Sequence, residues 1–291
     1  HEISESDTYY LGACTKGASS LSVRTQPFSP ILAKQRAFSL KNSYMTQLIR
    51  TVINKEKNEK LIDSRLIKTM TFEETLQKSL SKYVGLGENY LERRFNVNPQ
   101  SKSKFKSIIS NILSVNDVEK SDEFLKANIK VKTIRVEEDG RVIESMSFPS
   151  FKFEEIVNED WENSKIKDYF ESTKFMFIVF KRKGEEYFFN KTLFWNMPTD
   201  MIEDDLFEVW THTKKHVSEG NIVKNRINNR DFTNFWSKKD GKSIHIRPHG
   251  QNKTDTYPLP IRDQLTGMTD YMKHCFWINN NYISDLVKEK S

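Results

Sequence analysis

Two histidine pairs, one pair of adjacent acids and two closely set lysines are the side chains of this 291-residue chain whose types and spacing reach toward chemistry. His212 and His216 are four residues apart, which puts two imidazoles on one face of a helix and suits metal ligation. His245 and His249 repeat the interval. No cysteine or acid converges on either pair by sequence, so both are expected as surface histidines and no metal is assigned. Asp122 and Glu123 are a weak acid–base signal, because neighbours in a strand face opposite ways. Lys130 and Lys132 share a face if Ile129 to Thr133 is a strand. The chain has no Gly-rich phosphate loop, no nucleophile elbow and no CxxC motif.

Those residues must be held by elements the sequence announces. Thr71-Phe72-Glu73-Glu74 is a capping box, and Phe72, Leu76, Leu80 and Tyr83 follow it at helical spacing. Phe105, Ile108, Ile109, Ile112 and Leu113 mark a second amphipathic helix. After Asp122 the period changes. Ile129, Val131 and Thr133 alternate with Lys130, Lys132 and Ile134, which predicts a strand. Asp139-Gly140 is a hairpin turn signal that returns Val142 to Phe148 as the partner strand. Thr173 to Lys181 and Tyr187 to Trp195 predict two strands around Gly184. Met201 to Val217 is helical and stops at Gly220. Ser243 to Arg247 is a short strand, and Asn280 to Lys288 a terminal helix. Helices, then a mostly antiparallel sheet, then mixed elements make an α+β or mixed α/β domain.

Composition bounds the rest. Hydrophobic residues at 36% and aromatics at 12% suit a folded protein and argue against disorder. No apolar run is long enough to span a membrane. Two distant cysteines, Cys14 and Cys275, are too few for a disulfide scaffold, so a reducing cytoplasm is expected. The opening His1-Glu2-Ile3-Ser4 is neither an initiator Met nor a signal peptide, and the chain reads as a fragment of a longer polypeptide. The net charge is +6, and its distribution says more than its size. Thr8 to Lys55 holds no Asp or Glu but includes Lys16, Arg24, Lys34, Arg36, Lys41, Arg50 and Lys55. A second basic stretch runs from His212 to Lys253, and acids cluster at Glu154 to Glu162 and Asp200 to Glu208. Segregated positive charge is the footprint of a phosphate-binding surface; a solvated basic face is the plainer alternative.

The chain also repeats itself. Arg36 to Met45 lies in register with His274 to Ile283, so that Phe38 matches Phe276, Asn42 matches Asn280, Tyr44 matches Tyr282 and, just beyond, Leu48 matches Leu286. A basic segment with Gly precedes each copy by about 20 to 25 residues, at Cys14-Thr15-Lys16-Gly17 and Arg247-Pro248-His249-Gly250. The repeat predicts that residues 1–60 are the tail and linker of a preceding domain of the same fold as residues 61–291.

Several of these segments resemble a known family. Ala127 to Ile134, followed by Asp139-Gly140-Arg141 and Glu144, resembles the core strand and hairpin of MutH, the GATC nickase of mismatch repair, and His245-Ile246-Arg247-Pro248 resembles its recognition segment. Ala13 to Ala18, Ala33 to Lys41, Met146-Ser147-Phe148, Phe151 to Glu154 and Phe276 to Asn280 are similar to the Sau-type restriction endonucleases, which cut GATC and carry two MutH-like domains in one chain. The resemblance covers nearly the whole sequence with matches in the same order. It implies a PD-(D/E)xK restriction-endonuclease-like (MutH-like) fold, with a central mixed sheet flanked by helices. It also implies a chemistry in which two carboxylates hold Mg²⁺ and a lysine two residues beyond the second positions water or stabilises charge.

This chain departs from that pattern. The family lysine is kept as Lys132, but Lys130 stands where the resemblance implies the metal-binding Glu. Two like charges a few ångströms apart repel by about 1 to 4 kcal/mol, where Mg²⁺ needs an anionic ligand. The family's first Asp maps near Glu123 or Asp122, and the helix supplying a further acid maps to Lys102 through Asn116, which has no Asp or Glu. Residues 61–291 are therefore expected to be a pseudo-nuclease: a degenerate site of Glu123, Lys130 and Lys132, no catalytic residue, and no cofactor in this segment, with Mg²⁺ belonging to the parent enzyme. Lys130 and Lys132 then contact a phosphate, or are simply strand lysines at a cleft edge. The resemblance implies that Arg247 and His249 enter the major groove, with Lys253 following; His249 replaces a family lysine. Trp277 matches an aromatic near the methylation-sensing position, or is a core Trp. Lys16 and Lys41 belong to the first copy and would read DNA in a completed domain. The expected partners are double-stranded DNA, the preceding catalytic domain of the same chain and, as a further expectation, a DNA-induced dimer, with no membrane. Two other functions stand beside this one. One is an active Mg²⁺ endonuclease using Glu123 with Glu144 or Glu154; the other is a purely architectural domain.

Overall fold

The computed structural model describes residues 8–16, 22–61, 71–228 and 230–289, which fall into two compact units. The first holds residues up to 134 and 170–197; the second holds 135–169 and everything from 198 onward. Within the first unit, described residues on either side of position 60 are bonded to one another. The Ser43 hydroxyl donates to the Lys126 carbonyl at 2.8 Å, and the Lys41 ammonium donates to that of Ala127 at 3.3 Å.

In the first unit, β1 (Leu11–Thr15) pairs antiparallel with β4 (Arg36–Leu40), with the hairpin β2 (Val23–Gln26) and β3 (Ser29–Lys34) between them. Helix α1 (Asn42–Val52) follows and packs on α5 (Asp122–Ala127). Helix α2 (Phe72–Ser81) opens with the predicted capping box: the Glu74 amide donates to the Thr71 hydroxyl at 3.2 Å, and the Thr71 amide donates to the Glu74 carboxylate at 2.7 Å. Helix α3 (Glu88–Phe95), which the periodicity alone did not announce, ends at Asn96 in the left-handed region at φ 50°. Lys104 at the start of α4 (Lys104–Ile112) ties the two helices by ion pairs to Glu88 and Glu92. Asn128, left-handed at φ 54°, stops α5 and turns the chain into β5 (Ile129–Val136). Its sheet has the order β5-β7-β8, with β7 (Lys174–Lys183) and β8 (Glu186–Trp195) joined through Gly184 at φ 65°, where the sequence put the turn. Leu76, Leu80, Leu91, Ile108, Ile109, Phe124, Ile178 and Phe180 form the core between helices and sheet.

The second unit is built on β6 (Met146–Phe151), β11 (Ile244–Pro248) and β14 (His274–Ile278), with β14 in the centre of an antiparallel sheet. The unit also holds two ribbons: β9 (Val223–Ile227) with β10 (Arg230–Thr233), and β12 (Thr256–Pro258) with β13 (Asp270–Met272). Short helices α6 (Phe153–Ile156) and α7 (Lys165–Ser172) precede a longer helical run. That run is α8 (Thr199–Met201), a π-helical turn over Ile202–Leu206 and α9 (Phe207–Ser218), and it stops at Gly220. Gly220 sits at φ 62° with the Arg262 carbonyl 2.6 Å from where a Cβ would lie, so a side chain there is excluded twice. Helix α10 (Asn280–Glu289) closes the chain.

The class is mixed α+β, as expected, but in place of one central sheet the described strands form two three-stranded sheets and four two-stranded ones. One expectation fails here, for a local reason. The segment after Asp139-Gly140 makes the turn, with Glu137 N–H donating to Arg141 O at 2.8 Å and a single bridge from Val136 to Val142. The ladder then stops, because the Val142 amide donates to the Ser284 hydroxyl and the Val142 carbonyl accepts from Asn280. β6 pairs with β14 instead. Within β5 the alternation slips: Ile129 and Val131 are buried, then Ile134 and Val136, leaving Thr133 exposed. Among the described residues no helix is long and apolar enough to cross a membrane.

Candidate nucleic-acid interface

The side chains that sequence placed near DNA gather most tightly at one end of β11. Across the β11–β14 ladder His245 faces Trp277 and Arg247 faces Cys275. Residues 245 and 247 share a face by the period of two, so the Trp277 ring is within reach of both. The Arg247 guanidinium lies 4.9 Å from the centre of the Trp277 ring, a cation–π distance. The His249 ring meets the same indole edge-on at 5.7 Å, and His245 stacks on it at 6.5 Å. Arg247 and His249 are exposed, His245 is buried and Trp277 is half-buried. Trp277 is thus neither a plain core residue nor a free surface ring; it is the platform that orients three neighbours.

The backbone fixes how this cluster meets solvent. The His249 amide donates to the Lys273 carbonyl at 2.7 Å, one step beyond the ladder. At Gly250 a Cβ would lie 2.9 Å from the Asp255 carbonyl, so only glycine permits the tight turn that follows. That turn carries Lys253, exposed and without a side-chain partner among the described residues, and is held by the Asn252 and Asp255 carboxamide and carboxylate accepting from Thr254 and Gln251. Arg247 likewise has no carboxylate partner among the described residues, which leaves its fork of donors available. Burial, helped by the nearby Arg247 charge, pushes the His245 imidazole down to about 4, so it is neutral at pH 7.

On β5, Lys130 and Lys132 are both half-buried and alternate with the buried Ile129 and Val131. Lys130 makes no ion pair or side-chain hydrogen bond among the described residues. The acids around this strand are engaged elsewhere. Glu123 is on helix α5 and not on a strand, and both its oxygens accept from the Leu61 amide, at 3.2 and 3.1 Å. Asp122 pairs with Lys126 at 2.7 Å. Asp117 and Glu119, which sequence reasoning did not single out, lie close to β5: Glu119 accepts from the Val131 amide at 2.7 Å, and Lys106 pairs with both acids. Glu144 pairs with Arg135 at 2.5 Å, and both Glu144 and Glu154 lie in the second unit. Among the described residues no three His, Cys, Asp or Glu side chains are grouped to share a metal ion. The residues present do not fit the Mg²⁺ centre that the resemblance implies: a lysine stands where a carboxylate is needed, and the nearest acids already hold backbone amides or lysines.

Other candidates separate. Lys16 is exposed just beyond β1. Lys41 is not at a surface: it is 1% exposed and donates to the Ala127 carbonyl, so it leaves the phosphate-facing set. The His212 and His216 rings are half-buried and face one another, contrary to the expectation of independent surface histidines. The β9–β10 ribbon, exposed along Lys224, Asn225, Arg226 and Ile227, was missed by sequence reasoning; its one signal is the Asn-Asn pair in the sequence at 228 and 229, between short polar–apolar runs.

No family model matches the sequence. The chain is 34% identical, over 99% of its length, to the type II restriction enzyme Sau3AI of Staphylococcus aureus. It is similar to a restriction endonuclease from end to end. The chain spans 66% of that relative's length, so about a third of the Sau3AI enzyme lies outside the matched part. The exposed Arg247–Trp277 cluster and the basic segments lie within the span shared with this restriction enzyme.

Proposed function

We propose that this chain is a sequence-specific, double-stranded-DNA-binding portion of a type II restriction enzyme, that it reads a GATC-like site, and that it does not itself cut. The observation that carries the reading is the exposed Arg247 guanidinium laid on Trp277, with His249 beside it and no carboxylate among the described residues to neutralise it. An arginine held in this way is prepaid in conformational entropy for the two acceptors of a guanine edge. Lys253 on the adjoining turn supplies a phosphate contact. Lys130 and Lys132, in the other unit, form a separate anion-binding patch in a degenerate nuclease site. Catalysis and its Mg²⁺ belong to a preceding MutH-like domain, which this portion activates or tethers by holding a second site on the DNA in the cytoplasm, with DNA-induced dimerisation as the joining step. Similarity to a longer restriction enzyme supports that arrangement.

The test is a titration of the chain against a fluorescent duplex containing GATC and a scrambled control, with and without Mg²⁺, at two salt concentrations, with products run on a denaturing gel. Preferential binding that leaves the DNA intact is the expected result, and its salt slope counts the phosphates neutralised. Cleavage that disappears in Glu123→Ala overturns the non-cutting reading in favour of displaced carboxylates. Absence of binding at both salts leaves only an architectural role.

A further inference from the structure

Helix α9 carries a feature that DNA binding does not use. His212 and His216 are one turn apart, and their Nε2 atoms approach to 3.2 Å. The His212 ring lies against Trp236 with centroids 4.5 Å apart and planes at 23°, which fixes the direction of its lone pair. We propose that His212 and His216 form a two-histidine site for a late first-row divalent cation of the Zn²⁺ class, independent of any Mg²⁺ chemistry.

The separation decides the class. Zinc–imidazole bonds are about 2.0–2.1 Å long, so two nitrogens 3.2 Å apart subtend about 100° at a shared ion, between the octahedral and tetrahedral values. The same distance is at the long limit of an N–H···O or N–H···N hydrogen bond. Two imidazoles suit Zn²⁺, Ni²⁺ and Cu²⁺ and not Mg²⁺, which prefers oxygen donors. The charges facing the pair include both signs. Asp240 acts on His212 and Glu219 on His216, each favouring a cation; Lys215 opposes, and Lys242 near Trp236 is neutralised by Glu208 and Asp205. Burial lowers both imidazoles from their ordinary pKa, which favours the neutral form that ligates. With two protein nitrogens, at least two positions on the ion stay open to water, which makes this a binding site and not a closed structural centre.

The experiment is isothermal titration of the full chain, purified without a histidine tag, with ZnCl₂ at pH 7.5, alongside His212→Asn, His216→Asn and the control His249→Asn, each checked for native circular dichroism. One Zn²⁺ per chain is expected for the parent and the control, with binding lost in both α9 variants and unchanged by a large excess of Mg²⁺. Cu²⁺ is expected to quench part of the tryptophan emission, and that part is expected to vanish in Trp236→Phe while Zn²⁺ binding persists. Absence of Zn²⁺ binding by the parent, or equal binding by both α9 variants, overturns the proposal and leaves an ordinary His–His hydrogen bond.

Discussion

In the N-terminal copy of the repeat, β1 pairs with β4 from Leu11↔Leu40 to Thr15↔Arg36; in the C-terminal copy, β11 pairs with β14 from Ile244↔Ile278 to Pro248↔His274. The hydrogen bonds flanking the ladders also correspond. Lys41 N–H donates to Tyr10 O, and Asn279 N–H to Ser243 O, both at 2.9 Å; at the far end Lys16 N–H donates to Gln35 O and His249 N–H to Lys273 O. One linking residue later, α1 begins at Asn42 and α10 at Asn280. The copies differ in what covers them. β14 takes β6 on its second edge, while β4 has no second strand neighbour among the described residues. Phe38 is 87% exposed where Phe276 is 1%, and Ile49 is 49% exposed where Val287 is 7%. Leu40, Met45 and Leu48 are exposed where Ile278, Ile283 and Leu286 are buried. The same apolar pattern is thus a core in one place and an open face in the other. Periodicity encodes which side chains want burial; a partner decides whether they get it. The open face of the first copy supports the proposed preceding domain, whose own β6-like strand would add to the free edge of β4.

The largest effect that separates the copies is truncation of matched phenylalanines. Phe276→Ala is expected to cost about 3–5 kcal/mol, and Phe38→Ala to fall within about 0.5 kcal/mol, by urea unfolding of this chain. A cost above about 2 kcal/mol for Phe38→Ala would mean the face is covered in solution, and a concentration-dependent midpoint would identify the cover as a second copy of the chain.

Much of this architecture was legible in the residues, and the omissions have physical causes. The capping box at Thr71, the Gly184 turn and the Gly220 stop are local signals, and the structure has each of them. The β11 strand and α10 helix fall within a residue of their predicted bounds. The partner of β6 was not legible, because pairing with β14 is set by residues over a hundred positions away and by Ser284 and Asn280 capturing Val142. For Lys41, type and a basic neighbourhood pointed outward. Its place at the strand-to-helix junction, matched by the buried Asn279, was the better guide: both side chains donate to a backbone carbonyl, Lys41 to that of Ala127 and Asn279 to that of Lys242. The facing of His212 and His216 was implied by their spacing, but Trp236, which aligns one ring, comes from a segment 20 residues on that no local pattern connects to α9.

Acid should sharpen the contrast next. His245 and His274 in the second copy have folded-state values near 4, below about 6.5 in the unfolded chain, chiefly because both are buried. The unfolded state therefore takes up protons first as the pH falls through about 6.5. The stability each neutral histidine contributes is present above that value and is lost progressively down to about 4. Their matched positions in the first copy are Gly12 and Arg36, which do not titrate in this range. Each histidine is expected to account for about 2 kcal/mol of the loss between pH 7 and 5, and His245→Leu should remove its share. A pH dependence identical in parent and variant would take His245 out of the explanation.

The smallest effects compare the two positions that the proposed function sets against DNA. By ladder register Cys14 stands where the second copy has Arg247, and Lys16 where it has His249. Arg247→Ala should therefore weaken binding to the GATC duplex by about 1–3 kcal/mol and narrow the gap to the scrambled control, because it removes a base contact. Lys16→Ala should leave that gap unchanged and reduce the salt slope by about one at most, because an exposed lysine in an uncovered copy has only a phosphate to meet. A loss of sequence preference in Lys16→Ala would mean that the first copy reads bases without its covering domain, and the open face on β4 and α1 would then have to be a finished surface and not an interrupted core.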